Sequence, residues 1–209
     1  MSAIFSRKRA STHPERLPPG QVETSKWPVL HYSSVPRIDL ETWTLRVWGE
    51  CDEPYSLTWG ELLALPKQTV TSDIHCVTKW SRFDARFGGV PVSELLARAR
   101  PRDVARYALV HGEPEYTTNL ALSDLDRPEN LIAYEADGAP LTAEHGGPVR
   151  LVVPHLYFWK SAKWVTGIQL LQEDYPGLWE QNGYHMRGDP WQEERYGRPD
   201  PVRMRRGPR

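Results

Sequence analysis

Strand-like runs outnumber helical ones along this chain and do not alternate with them. That order excludes a doubly wound parallel sheet and predicts an α+β fold built on a mixed, partly curled β-sheet. Thr42 to Gly49 alternates, with Trp43, Leu45 and Val47 on one face, as a half-buried strand does. Further strands are expected over 69–74, 107–110, 116–120, 131–135, 149–153 and 164–171. Two helices interrupt them. Thr58 and Glu61 have capping-box spacing, in which the hydroxyl accepts from the N3 amide and the carboxylate reaches back to the cap amide, and this helix stops at Pro66. The second helix runs from Pro91 to Arg100, before Pro101. Gly88-Gly89 and Asp137-Gly138 are expected to turn the chain.

The 209 residues suffice for one domain with one main core. Residues 1–26, with Pro14, Pro18, Pro19 and Gly20, are expected to form a polar arm, lying on the surface or disordered. Residues 27–176 would hold the domain, and 177–209 an aromatic-rich C-terminal wrap to about Tyr196 followed by a basic tail. A net charge of −1 gives no global field toward nucleic acid or anionic lipid. The clusters Arg7-Lys8-Arg9 and Arg203, Arg205, Arg206, Arg209 are expected to be solvated tails. Ser11-Thr12-His13-Pro14 follows the first cluster where an export signal needs an apolar stretch, and no run reaches membrane-span length. A cytoplasmic protein without a membrane span is expected.

There are two cysteines, Cys51 and Cys76, and no CxxC pair, so a zinc ribbon and a thioredoxin motif are excluded. His75, His111, His145, His155 and His185 raise a zinc hydrolase as one alternative, but no HExxH spacing supports it. Cys76, next to His75 at a strand end, is either a small buried hydrophobe or a functional thiol. Nine tryptophans and nine tyrosines are a surplus of flat side chains with polar tips, suited to a cofactor groove as well as to a core.

The segment His75-Cys76-Val77-Thr78-Lys79-Trp80-Ser81 resembles the metal-ligand segment of the sulfite-oxidase family of molybdenum enzymes. It is most similar to the branch that includes the methionine sulfoxide reductase catalytic subunit. His145-Gly146-Gly147-Pro148-Val149-Arg150-Leu151-Val152-Val153-Pro154 and Ser161-Ala162-Lys163-Trp164 resemble two further segments of that family, in the family's order. The ending, with Trp179-Glu180-Gln181-Asn182-Gly183-Tyr184-His185 and Gly188-Asp189-Pro190-Trp191, resembles its cytosolic sulfite-oxidase-like branch.

The resemblance implies a sulfite-oxidase-type fold and one molybdenum carried by one molybdopterin without a nucleotide, with Cys76 as the thiolate ligand. A soft, anionic thiolate suits a metal already bound by dithiolene sulfur. The resemblance further implies that Arg150 and Lys163, with Ser161 and Ala162 beside them, hold the pterin phosphate. His145, His31, Tyr32, His111 and Asn119 would contact the pterin. The implied reaction is two-electron oxygen-atom transfer on a small sulfur- or nitrogen-oxide substrate. Electrons would pass through a separate partner, since no haem, flavin or iron–sulfur motif is present. Sulfite oxidases place arginines shortly after the ligand cysteine; Val77-Thr78-Lys79-Trp80 stands here, so the likeness does not extend to sulfite specificity. A non-enzymatic pterin-binding or carrier protein is the alternative, and it has little use for a metal thiolate.

Overall fold

The computed structural model describes Ser11 and residues 13–197; the basic clusters at both ends lie outside them. Chain order begins β1 (Val22–Glu23), β2 (Thr44–Gly49), β3 (Tyr55–Thr58), α1 (Trp59–Leu63), β4 (Gln68–His75) and β5 (Trp80–Pro91). It continues through α2 (Val92–Ala99), β6 (Tyr107–Gly112), β7 (Tyr116–Ala121), α3 (Leu122–Leu125) and β8 (Leu131–Ala136). The rest is β9 (Ala139–Pro140), β10 (Arg150–Val152), β11 (Val165–Leu171) and α4 (Leu178–Gln181).

The strands divide over two mixed sheets, and neither closes into a barrel among the described residues. One has the order β1-β5-β8-β10, with β4 on β5 and β9 on β8; the other runs β3-β2-β11-β6-β7. Among the described residues only β1–β5 and β2–β11 pair in parallel. The alternation expected around Trp43 is realised: Leu45 and Val47 are buried while Thr44 and Arg46 are exposed. The capping box on α1 is formed, with Thr58 N donating to Glu61 Oε2 at 2.8 Å. Helix α2 buries Val92, Leu95, Leu96 and Ala99, one face at helical spacing, and ends at Arg100 in the left-handed region (φ 55°) before Pro101.

One expectation fails. Gly88-Gly89 does not turn the chain but lies inside the twelve-residue strand β5, at a register shift against β8. A Cβ on Gly89 would stand 2.2 Å from Ile132 O. These glycines permit a close backbone approach, the other use of a glycine in a strand.

The main core fills the space where Val47, Val110 and Ile168 meet Leu95 of α2, Ile132 of β8 and Leu151 of β10. A smaller cluster, with Ile74, Phe87 and Val152, packs against Trp27, Trp80 and Phe158. A third joins Cys76, Val77, Tyr157 and Trp159 to Trp179 and Tyr184 from the C-terminal extension. The extension is fastened by an ion pair with almost no exposure: Lys160 Nζ lies 2.7 Å from Glu180 Oε1. Trp159 Nε1 donates to the same oxygen at 2.8 Å. The residues described within the first 26 also touch the body, since β1 pairs with the start of β5 and Gln21 is buried.

Candidate active site

Cys76 follows the last residue of β4 and opens a tight turn into β5. Its amide donates to Trp80 O at 2.8 Å and its carbonyl accepts from Lys79 N at 3.0 Å. Lys79 takes the left-handed conformation (φ 73°) that closes the turn. The thiol is nearly buried, with Thr78 Oγ1 3.1 Å from Sγ. Burial pushes the thiol up, against the pull of the Thr78 hydroxyl, nearby backbone amides and the Arg195 charge. Neighbouring His75 turns elsewhere: its Nδ1 is 2.8 Å from Ser81 Oγ, and burial pushes it down to about 4. It is neutral at physiological pH and does not pair with the cysteine.

Cys76 lines a cavity of about 310 Å³ whose walls are largely aromatic. Trp27, Trp80, Trp159, Trp164 and Trp179 line it together with Tyr32, Tyr116, Phe158 and Tyr184. Five of the nine tryptophans thus surround one space, which is where the surplus of flat side chains is concentrated. Trp179 and Tyr184 stack with ring centroids 5.0 Å apart, and Tyr184 meets Trp159 edge-on at 5.0 Å.

Two cations share this cavity. Arg150, at the start of β10, is 1% exposed, and its Nη1 and Nη2 donate to His145 O and Ser161 O, each at 2.8 Å. Its guanidinium sits 4.2 Å from the centroid of the Phe158 ring. Among the described residues no carboxylate pairs with it. Burial pushes it down to about 9, so it stays charged at neutral pH. Lys163 donates to Glu144 O and is pushed down to about 7, by burial first and then by the Arg150 charge. A buried guanidinium held by carbonyls and rings, beside a lysine whose charge is destabilised, makes a place that favours an anion. Ser161 Oγ is engaged by Val153 N at 2.9 Å, which fixes the turn carrying Ala162 and Lys163.

Of the ten site candidates from the sequence, His31, Tyr32, Cys76, Arg150, Ser161, Ala162 and Lys163 all line this one cavity. The other three do not. The His145 ring stacks on Trp27 at 4.0 Å, directly behind the wall. Asn119 is buried under the C-terminal extension, where Nδ2 donates to Asp174 Oδ1 and Met186 O and Oδ1 accepts from Lys160 Nζ. His111 lines a separate groove with Trp48 and Arg46, its Nε2 3.3 Å from Gln169 Oε1. Among the described residues no three His, Cys, Asp or Glu side chains converge as a zinc site needs.

The profile of a family described as "Oxidoreductase molybdopterin binding domain" matches residues 32–179. The chain is 47% identical over 193 residues to the uncharacterized oxidoreductase YuiH of Bacillus subtilis (strain 168), covering 92% of this chain and 98% of that one. It is 30% identical over 158 residues to the protein-methionine-sulfoxide reductase catalytic subunit MsrP of Xanthomonas axonopodis pv. citri (strain 306). That match covers 68% of this chain but 49% of the reductase, so the chain spans about half of that relative's length. Among solved structures the fold is similar to the sulfane dehydrogenase SoxCD from Paracoccus pantotrophus, with a TM-score of 0.64 and 22% identity. That likeness covers 73% of this chain and 43% of the other.

Proposed function

Because the chain belongs to the family of oxidoreductases with a molybdopterin-binding domain, we propose that it carries one molybdenum on one molybdopterin, with Cys76 as the metal's protein ligand. The proposed reaction is oxygen-atom transfer between water and a small sulfur- or nitrogen-oxide substrate, with two electrons exchanged through a separate redox partner. The single observation that carries this proposal is that Cys76 and the Arg150–Lys163 cations share one aromatic cavity.

The residues present fit such a group. Arg150 has five N–H donors and uses three, on His145 O, Ser161 O and Leu151 O, which leaves two for a phosphate. Lys163 adds a point charge beside it, and the backbone of Ser161 and Ala162 holds the two at fixed spacing. Bound there, the molybdenum cofactor supplies the two-electron chemistry and the site of atom transfer. The aromatic walls lower the polarity around the two cations, and this strengthens their charge interactions. With both cations engaged on a phosphate, the charged residue left in the lining is Glu113, which is exposed. Such a site suits an uncharged sulfoxide or N-oxide better than sulfite. The relative named as a protein-methionine-sulfoxide reductase catalytic subunit supports the same class. No helix of the described residues is long and apolar enough to cross a membrane. We further propose a cytoplasmic location, with 27–176 as the cofactor-binding domain and 177–209 as its C-terminal extension, of which 198–209 lie outside the described residues.

The test is metal and pterin analysis of protein from cells able to make molybdopterin, with sulfoxides, N-oxides and sulfite screened against artificial electron donors and acceptors. Molybdenum and pterin are expected in equal amounts, one per chain. Cys76→Ser should keep the pterin, lose the sulfur K-edge signature of a protein thiolate and lose turnover, while Cys51→Ser changes none of these. Stoichiometric zinc without molybdenum would overturn the proposal.

A further inference from the structure

The Cys76 turn is held from outside by two segments far apart in sequence, around Gln21 and Arg195. Four of the five carbonyls from Cys76 to Trp80 accept a hydrogen bond. Cys76 O accepts from Lys79 N and from Gln21 Nε2, the latter at 3.0 Å. Val77 O accepts from Arg195 Nη1 at 2.7 Å. Lys79 O accepts from Val22 N at 3.0 Å, and Trp80 O from Cys76 N at 2.8 Å. Gln21 and Arg195 are themselves buried, at 8% and 7% exposure.

The two segments also touch each other. Arg195 Nη2 donates to Pro19 O at 3.1 Å, so one guanidinium fork links the turn to the N-terminal segment. The same guanidinium lies 4.9 Å from the centroid of the Tyr157 ring, in the cluster that contains Cys76. A planar fork with directed donors sets two carbonyls at a fixed separation, which an ammonium cannot do. Extra hydrogen bonds on carbonyls of so short a turn remove the small backbone rotations that would swing the Cys76 side chain.

We propose that Gln21 and Arg195 are positioning residues: one before the domain and one after it, they brace the Cys76–Trp80 turn and so fix the direction of the Cys76 thiol. The brace acts through the turn, since neither Gln21 nor Arg195 lines the cavity. Its functional value rests on the proposed role of Cys76 as a metal ligand. The chain segments at both ends of the domain therefore control the geometry at its centre.

The test uses Gln21→Met, which keeps bulk and removes the donor, and Arg195→Lys, which keeps charge and removes the fork. Arg102→Met serves as control, since Arg102 is an exposed arginine paired with Asp52. Hydrogen–deuterium exchange is measured on the full chain as purified. Amides of 75–81 are expected to exchange about ten-fold faster in both brace variants, the loss of one hydrogen bond's worth of local protection. Peptides over 107–121 should exchange as in the wild type, which separates a loosened turn from a damaged fold. In the loaded protein, the thiolate band at the sulfur K-edge should weaken or shift in both variants and stay unchanged in the control. Wild-type exchange over 75–81 in both brace variants overturns the proposal, and so does an unaltered thiolate band. If the loaded wild type itself lacks that band, the role of Cys76 as ligand fails, while the exchange measurement still decides whether the brace exists.

Discussion

Lys163 is the residue whose chemistry is most exposed to test. Burial and the neighbouring Arg150 push it down to about 7, and the nearby Glu144 pulls the other way. An anion in the cavity favours the ammonium and raises that value again. Anion binding should therefore take up a proton at Lys163 Nζ at pH 8, and affinity should fall as pH rises above about 7, by up to ~10-fold per unit. Calorimetric titration of the cofactor-free chain with sulfate, in buffers of different ionisation heat, measures the uptake. Lys163→Arg stays charged, so between about pH 6 and 8, below the range where Arg150 titrates, its sulfate affinity should be flat and its proton uptake absent. Undiminished uptake in that variant would assign the proton elsewhere. The residues that gather at this cavity were legible because they fall in contiguous motifs, where one anchored position carries its neighbours along. Asn119 and His111 sit instead on strands β7 and β6, where successive side chains point to opposite faces. A motif read to within a residue cannot say which face a side chain takes.

At the level of elements, α1 and α2 could be read because their signals are local: a cap, an apolar face and a proline at the boundary. Strand β5 was obscured because glycine marks both turns and close approaches, and only the contact with β8 tells them apart. The join between the extension and the body was not legible at all. Glu180 lies on the four-residue helix α4, and its partner Lys160 stands twenty positions upstream with no sequence pattern linking them. Glu180 Oε1 accepts from Trp159 Nε1 and Thr118 Oγ1 as well as facing Lys160. Removing one partner of a fully buried ion pair leaves an uncompensated charge, so Glu180→Ala should cost about 3–5 kcal/mol in urea unfolding. Glu180→Gln keeps an acceptor for the indole and the hydroxyl, and its cost should be the smaller of the two. A cost of less than ~1 kcal/mol for Glu180→Ala would place the pair in a far wetter setting than its burial indicates.

For the whole molecule, the cavity is a meeting point of distant segments: Trp27 to Ser33, Cys76 to Trp80, Glu113 to Tyr116, Arg150, Phe158 to Trp164, and the extension. Each supplies a wall that no other can replace, so order at the site depends on the extension being seated. Chymotrypsin tests this directly, because it cleaves after aromatic residues and the extension offers both kinds. Tyr196 is 68% exposed, whereas Trp179 and Tyr184 are stacked in the cavity wall. Within the extension of the native protein the first cuts should fall after the exposed Tyr196 and Trp191, and the fragment cut after Tyr196 should keep its fold. Cuts after Trp179 and Tyr184 require the segment to open, which breaks the Lys160–Glu180 pair and uncovers Trp159, so they should be slower by roughly 100-fold or more. Glu180→Ala should erase most of that protection and leave the cut after Tyr196 at its original rate. Early cleavage after Trp179 in the wild type would mean the extension is not part of the cavity wall in solution.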